Sequence, residues 1–283
     1  MTYLLDGLEL QKKIAEDIKK RIENYPRPPK LVIFSSDPKP ESLVYIKKKK
    51  EFGESLGCLV DHVSLNTSTA ADSILNSIGD MGQDPSVDGV IIQLPFNSYA
   101  RVSDVLDAVP PEKDVDGLSA ANVAALNRGE KGLMPATARA VLEILDEYQI
   151  PTEAKKAVVI GRSILAGKPI AQVLLNRDAT VCVCHKKTTD LQREARSSDI
   201  LISAVGVPGL ITSEMIHKEQ VILDVGILSE DGHIKGDLVI DPDELNVRAY
   251  SPVPGGVGPV AVASLFLNLL DAFEMWQLSG QKE

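Results

Sequence analysis

The sequence predicts an α/β protein of two α/β domains, the second a Rossmann-type doubly wound parallel sheet, with a cleft between them. Three observations carry this reading. Short apolar runs alternate with helix-period segments through the first half, the rhythm of parallel strands joined by helical crossovers. A second series of the same kind begins at Lys156, and its first strand is followed by a turn holding Gly161 and Gly167, where a nucleotide-binding sheet brings backbone close to phosphate. The length, 283 residues, suits one large domain or two of ordinary size.

The elements follow in order. Leu8, Leu10, Ile14, Ile18 and Ile22 recur at helical spacing and predict a helix over 8–24, stopped by Pro26, Pro28 and Pro29. Lys30–Phe34 is a short buried strand, Glu41–Leu56 a helix ended by Gly57, Cys58–Leu65 a strand, Ala70–Ile78 a helix and Gly89–Leu94 a third strand. Lys113–Gly117 (KDVDG) is a polar turn, and Ala140–Gln149 a connecting helix closed by Pro151. In the second series, strands are expected at Ala157–Ile160, Thr180–Cys184, Ile200–Val205 and Val221–Val225, with a helix over Pro169–Asn176. Val260–Trp276 reads as a long final helix. The expected division is a first domain over 1–140, with helix 260–279 packing back on it, and a second over 141–259.

Composition narrows the function. Hydrophobic residues make up 44% and charged residues 25%, as in ordinary soluble globular proteins. A net charge of −10 argues against binding dominated by a nucleic-acid phosphate backbone. The N-terminus lacks a basic segment followed by an apolar one, so no secretory signal is expected. No apolar run reaches the roughly 20 residues needed to span a bilayer, so no membrane partner is expected. Three cysteines, Cys58, Cys182 and Cys184, are too few and odd in number for a disulfide framework and suit a reducing cytoplasm.

Several motifs carry candidate chemistry, each with a plainer alternative. Tyr45 and Lys49 share one helix face, a phenol for stacking beside an ammonium; Lys47–Lys50 also read as a solvated basic face. Gln93, with Leu94 and Pro95, ends an apolar strand, where open sheets bind ligands, or merely caps backbone. Asp114 and Asp116 can grip paired N–H groups, yet aspartate before glycine is ordinary in turns. Gly161-Arg162-Ser163 with Gly167 lacks the full dinucleotide fingerprint but can still present N–H groups to a pyrophosphate. Cys182, Cys184 and His185 lack a second ligand pair at zinc spacing, so no metal is expected. Pro252–Pro259 (PVPGGVGP) is a proline–glycine loop, expected to expose backbone for close ligand approach.

Taken in order, YIKKK (Tyr45–Lys49), VIIQLP (Val90–Pro95), PPEKDVDG (Pro110–Gly117), VVIGRS (Val158–Ser163), ATVCVCH (Ala179–His185), ILISAVG (Ile200–Gly206), LDVGI (Leu223–Ile227) and SPVPGGVGP (Ser251–Pro259) resemble the methylenetetrahydrofolate dehydrogenase/cyclohydrolase family. The resemblance implies an NADP-dependent oxidation of methylenetetrahydrofolate and hydrolysis of the methenyl product to 10-formyltetrahydrofolate. It also implies a homodimer and a place in one-carbon metabolism and purine biosynthesis. By the same resemblance Tyr45 stacks on the pterin, Lys49 is the catalytic lysine, Gln93 tunes it and Asp116 holds the aminopyrimidine edge, with Leu94 and Pro95 beside them. Pro252, Pro254, Gly255, Gly256 and Val257 are implied to border the folate, and Gly161, Arg162, Ser163, Lys186, Ile227 and Thr137 the dinucleotide. The alternatives are a monofunctional cyclohydrolase with a weakened dinucleotide site, and a non-catalytic folate-binding paralogue.

The chain departs from the family pattern at Ala136, Ala138, Ala140, Lys186, Leu228, Val260 and Ala261, most of them on the dinucleotide side. NADP is expected over NAD because the second strand of the Rossmann series is followed by His185, Lys186 and Lys187, with no carboxylate before Asp190. An NAD site usually places an acidic residue there for the ribose 2′-hydroxyl.

Overall fold

In the computed structural model, which describes residues 2–230, 233–241 and 245–280, the chain opens with β1 (Tyr3–Leu4) and α1 (Gly7–Ile22). These are followed by β2 (Lys30–Ser36), α2 (Pro40–Ser55), β3 (Leu59–Leu65), α3 (Ala71–Gln83), β4 (Gly89–Ile92), α4 (Val102–Asp107) and α5 (Ala120–Arg128). Next come α6 (Ala136–Glu147), β5 (Lys156–Ile160), α7 (Gly167–Leu175), β6 (Thr180–Cys184), α8 (Leu191–Arg196), β7 (Ile200–Ser203) and β8 (Val221–Asp224). The hairpin β9 (Leu228–Glu230) and β10 (His233–Lys235), then β11 (Ala249–Tyr250) and α9 (Val257–Gly280), complete the order. The chain divides into two compact units: Lys13–Ala136 with Val262–Glu283, and Met1–Lys12 with Thr137–Ala261.

In the first unit β2 is the centre of a three-stranded parallel sheet, ordered β3-β2-β4. Leu31, Val32, Ile33 and Phe34 are buried on both faces, which is why this strand reads as a continuous apolar run instead of an alternating one. α2 starts with Pro40 in its first turn, where the missing N–H costs nothing. The C-terminal part of α9 packs here. A Cβ on Gly53 would lie 2.5 Å from the Phe266 ring, and one on Gly89 would lie 2.6 Å from Leu269, so a larger residue at either contact would have to displace these buried side chains. α9 is long and apolar enough to cross a membrane by length and composition. Its Leu265, Phe266, Leu269, Leu270 and Phe273 are buried, which makes it a core helix.

The second unit holds a six-stranded parallel sheet ordered β1-β11-β8-β7-β5-β6. The chain runs outward from β5 to β6, then returns to the other side of β5 at β7. The carboxyl ends of β5 and β7 therefore flank the topological switch point, the place where doubly wound sheets bind ligands.

The structure differs from the sequence reading in several places. Two strands, β1 and β11, join the four expected ones. Tyr3 and Leu4 pair with Ala249 and Tyr250, and so the first residues group with the second unit, not the first. Two-residue strands carry no readable period. Helices α4, α5 and α8 were not expected; the first and last are only 6 residues long each, and α5 is marked mainly by its Ser119 cap and Gly129 stop. α6 begins at Ala136 instead of Ala140, because Ala136, Ala138 and Ala140 are strong helix formers and all three are buried.

Candidate functional site

The first unit gathers four of the singled-out residues. α2 carries Tyr45 and Lys49 on one face, and Gln93 directly follows the end of β4. Lys49 Nζ donates to Gln93 Oε1 at 3.0 Å, while Gln93 Nε2 donates to the Leu94 carbonyl at 3.0 Å and its backbone N–H to Phe34 at 2.8 Å. The amide is thus fixed with its oxygen toward the lysine. Leu94–Pro95 is a cis peptide, with Leu94 partly buried and Pro95 exposed. The rest of the lysine run behaves as a solvated face. Lys47 and Lys50 pair with Glu51 and Glu54 one turn on, at 3.6 and 3.8 Å. Lys48 lies 5.8 Å from the Tyr45 ring centroid. Tyr45 is half-buried, and burial raises its phenol above the ordinary value.

The two aspartates of the KDVDG turn separate cleanly. Asp114 is a turn residue: its carboxylate accepts from Ser119 N–H at 2.7 Å and Asn122 Nδ2 at 3.0 Å. Asp116 has no side-chain hydrogen bond among the described residues. Burial pushes its carboxyl above the ordinary range; Lys49 pulls it down and Asp114 adds repulsion. Burial likewise holds Lys49 below the ordinary lysine value, with the Asp116 charge pulling upward.

The turn is held from several sides. Val90 N–H donates to the Lys113 carbonyl at 2.7 Å, and Lys113 Nζ to the Asp84 carbonyl at 2.7 Å. Asn268 of α9, fully buried, donates to the Val115 and Met134 carbonyls at 2.8 and 2.7 Å. Neither Asn122 nor Asn268 was singled out in the sequence.

In the second unit the turn after β5 is the second cluster. Gly161 has φ +120; a Cβ there would lie 2.5 Å from the Ala204 carbonyl oxygen, and one on Gly167 would lie 2.2 Å from the Gly161 oxygen. Ser163 Oγ accepts from Ala166 N–H at 3.2 Å, at the start of α7. Gly161 N–H donates to the Cys184 carbonyl at 2.9 Å, bringing the end of β6 beside this turn. There Lys187 N–H donates to His185 Nδ1 at 3.1 Å, so the neutral ring carries its proton on Nε2. Arg162, Lys186 and Lys187 are exposed and have no carboxylate partner among the described residues. This set, a glycine-shaped turn at a helix start with three unpaired cations, fits a phosphorylated dinucleotide. Ile227 is partly exposed, and a Cβ on Gly206 would lie 3.1 Å from its carbonyl oxygen. Thr137 lies in the first turn of α6. Among the described residues no group of three or more His, Cys, Asp or Glu is placed to hold a metal ion.

The proline–glycine loop is less open than expected. Pro254 is exposed, but Gly256 and Val257 are buried, and Gly258 and Pro259 already belong to α9. Gly7 N–H donates to the Gly255 carbonyl at 2.8 Å, and a Cβ on Gly7 would lie 1.8 Å from the Gly256 oxygen. These glycines let the start of α1 pack on the loop, so part of their requirement is internal packing. Val260 is buried, Ala261 partly buried, and Leu228 opens β9.

Comparison with known proteins agrees over nearly the whole chain. Residues 5–116 match the family model described as tetrahydrofolate dehydrogenase/cyclohydrolase, catalytic domain, and residues 135–277 match its NAD(P)-binding domain. The "Bifunctional protein FolD" of Hydrogenobaculum sp. (strain Y04AAS1) is 38% identical over 273 residues, 96% of this chain and 98% of the relative. The crystal structure of the bifunctional enzyme FolD, a methylenetetrahydrofolate dehydrogenase/cyclohydrolase from Campylobacter jejuni, superposes with a TM-score of 0.91 at 35% identity, covering 96% of this chain and 98% of that one. The Trypanosoma brucei methylenetetrahydrofolate dehydrogenase-cyclohydrolase, complexed with NADP cofactor and inhibitor, superposes with a TM-score of 0.90 at 30% identity, covering 97% and 98%.

Proposed function

The chain belongs to the tetrahydrofolate dehydrogenase/cyclohydrolase family, and from that membership we propose that it oxidises methylenetetrahydrofolate with NADP and hydrolyses the methenyl product to 10-formyltetrahydrofolate. The observation that carries the chemistry is the Lys49–Gln93 hydrogen bond beside the Asp116 carboxylate, which interacts with the Lys49 charge and has no side-chain hydrogen bond among the described residues. The first unit is assigned the folate chemistry and the second the dinucleotide.

Tyr45 offers a flat face for the pterin. Asp116 accepts from the aminopyrimidine N–H groups, its oxygens being free of side-chain hydrogen bonds among the described residues. In the cyclohydrolase step, water adds to the methenyl carbon and Lys49 takes one of its protons. Burial lowers the lysine's proton affinity, so more of it is neutral and able to do this. The remaining hydroxyl proton passes to N5 as the C–N5 bond opens, leaving the formyl group on N10 and one proton released in total. Gln93, anchored on Leu94, holds the Lys49 amine in place throughout. Leu94 and Pro95 line the same strand end.

NADP, when bound, supplies the acceptor for the hydride lost from the one-carbon bridge. The Gly161–Gly167 turn with Arg162 and Ser163 is assigned to its pyrophosphate. Lys186 with His185 is assigned to its 2′-phosphate, and Ile227 and Thr137 to its remaining contacts. Pro252, Pro254, Gly255, Gly256 and Val257 are the second-unit residues assigned to the folate. We further assign a homodimer, supported by the unpaired edge of β6 with Val183 exposed on it. The setting assigned is the cytoplasm, with the formyl product feeding purine biosynthesis.

A spectrophotometric assay on methylenetetrahydrofolate with each dinucleotide tests both activities, following reduced cofactor and methenyl product separately. Reduced NADP with no lasting methenyl signal is expected. Absence of reduced NADP removes the dehydrogenase, and persistent methenyl product removes the cyclohydrolase.

A further inference from the structure

Loops leave the carboxyl ends of β7, β8 and β11, the edge at which a parallel sheet binds ligands. Two buried aspartates tie these loops together. Asp237 Oδ2 accepts from Ser203 Oγ at 2.6 Å and from Val205 N–H at 3.0 Å, while its Oδ1 accepts from Val207 N–H at 2.6 Å. Asp224 Oδ1 accepts from Gly226 N–H at 3.1 Å and its Oδ2 from Leu238 N–H at 2.8 Å; its own N–H donates to Ser251 Oγ at 2.8 Å. Both side chains are almost wholly buried.

The two aspartates interlock through glycines. A Cβ on Gly226 would lie 2.2 Å from the Asp237 carboxyl carbon, and one on Gly236 would lie 2.1 Å from Asp224 Oδ2. Each carboxylate therefore occupies the space a side chain would take beside the other aspartate. Burying two carboxylates is costly, and a merely apolar filling would hold a sheet edge as well. What the carboxylate of Asp237 does that an apolar group cannot is fix two alternate backbone N–H groups, Val205 and Val207, around Gly206 at φ +67. The side chains on the loops so fixed point outward: Val205 is 39%, Val207 51% and Ile227 38% exposed. Exposed apolar side chains on loops tied in this way offer surface to a flat ligand face.

We propose that Asp237 is a positioning residue for the dinucleotide: it sets the Val205–Val207 loop directly, and the Ile227 turn through Gly226, in the shape that receives the nicotinamide end. This rests on the function proposed above. Asp237 touches no reacting atom.

The test is Asp237→Asn in the full-length protein, which turns an amide N–H toward at least one of its donors. Calorimetric titration should show the Kd for NADP raised roughly tenfold or more, as befits loss of a charge-assisted contact. The KM for NADP should rise with it, while the KM for methylenetetrahydrofolate and the rate of methenyl hydrolysis stay within about twofold. The hydrolysis rate is the readout that separates positioning from collapse, because it needs the fold but no dinucleotide. Should Asp237→Asn fail to fold, Ser203→Ala decides: it removes one donor and keeps the carboxylate, and the NADP Kd should rise about threefold with hydrolysis unchanged. NADP binding within twofold of the unmodified protein, in a folded Asp237→Asn or in Ser203→Ala where that variant decides, overturns the proposal. Failure of the unmodified protein to bind NADP overturns the functional reading, and the proposal with it.

Discussion

Replacing Lys49 by methionine keeps the length of the side chain and removes its nitrogen. The structure sets two opposed effects on stability. The Nζ–Gln93 hydrogen bond, 3.0 Å long, contributes about 1.5–3 kcal/mol when the donor is charged. Burial works against the charge and holds Lys49 below the ordinary lysine value, with Asp116 pulling back. Losing the ammonium removes that burial cost, and Asp116, whose carboxyl burial already holds above the ordinary range, can take up a proton once its counter-charge is gone, so the variant should unfold within about 1 kcal/mol of the unmodified protein. The rate should change far more. A positioned general base contributes about 10²–10⁴-fold, so hydrolysis of methenyltetrahydrofolate should fall by at least about a hundredfold. Dehydrogenase activity, which does not need this proton acceptor, should survive in part. The pH profile gives an independent check. Lys49 must be neutral to accept a proton, so the hydrolysis rate should rise with pH through the lowered lysine value and level off before about 10.4, the ordinary one. The variant should lack that limb. Urea unfolding, methenyl decay and NADP reduction measured on one preparation settle it. Hydrolysis within about tenfold of normal in Lys49→Met, well short of a general base's contribution, would refute the reasoning.

Three further outcomes follow from the same geometry. Asp116→Ala should raise the folate KM more than about tenfold for both activities, through loss of a charged contact. Stability should hold or rise, since no described group hydrogen-bonds this carboxylate and burial disfavours its charge; a loss of stability with unchanged KM would make it a turn residue. Asn268→Ala removes the donor to the buried Val115 carbonyl and to the partly buried Met134 carbonyl, at about 1–3 kcal/mol for the buried one, so the urea midpoint should drop accordingly. A loss under about 1 kcal/mol would show that the turn is held elsewhere. Lys186→Glu should narrow or reverse the preference in kcat/KM for NADP over NAD, and equal or better turnover with NAD in the unmodified protein would contradict the 2′-phosphate assignment.

How much of this was legible in the sequence depends on how local each feature is. Tyr45 and Lys49 sit one helical turn apart, and Gln93 ends an apolar run, so element and position could be read together. That Lys49 alone meets Gln93 could not, although the glutamates four residues beyond Lys47 and Lys50 already mark those two as solvated pairs. Asp114 and Asp116 are indistinguishable by turn chemistry. Only the fold shows that the first is used up on Ser119 and Asn122 while the second is left over, and the leftover one is the candidate for a ligand. The framework around these groups was not legible, because its bonds join distant segments: Asn268 reaches Val115 across 153 positions, and Asp237 reaches Ser203 across 34. Two-residue strands leave no period, so the return of Tyr3 and Leu4 to β11 was invisible, and with it the reason that Gly255 and Gly256 are packed against the start of α1. The same asymmetry explains where substitutions should be silent or severe. A change at Lys49 or Asp116 alters chemistry that is carried by one side chain, and the fold survives it. A change at Asn268 or Asp237 alters no chemistry itself, yet it releases backbone groups that nothing nearby in sequence can satisfy, and its effect reaches whichever ligand those groups were holding a loop to meet.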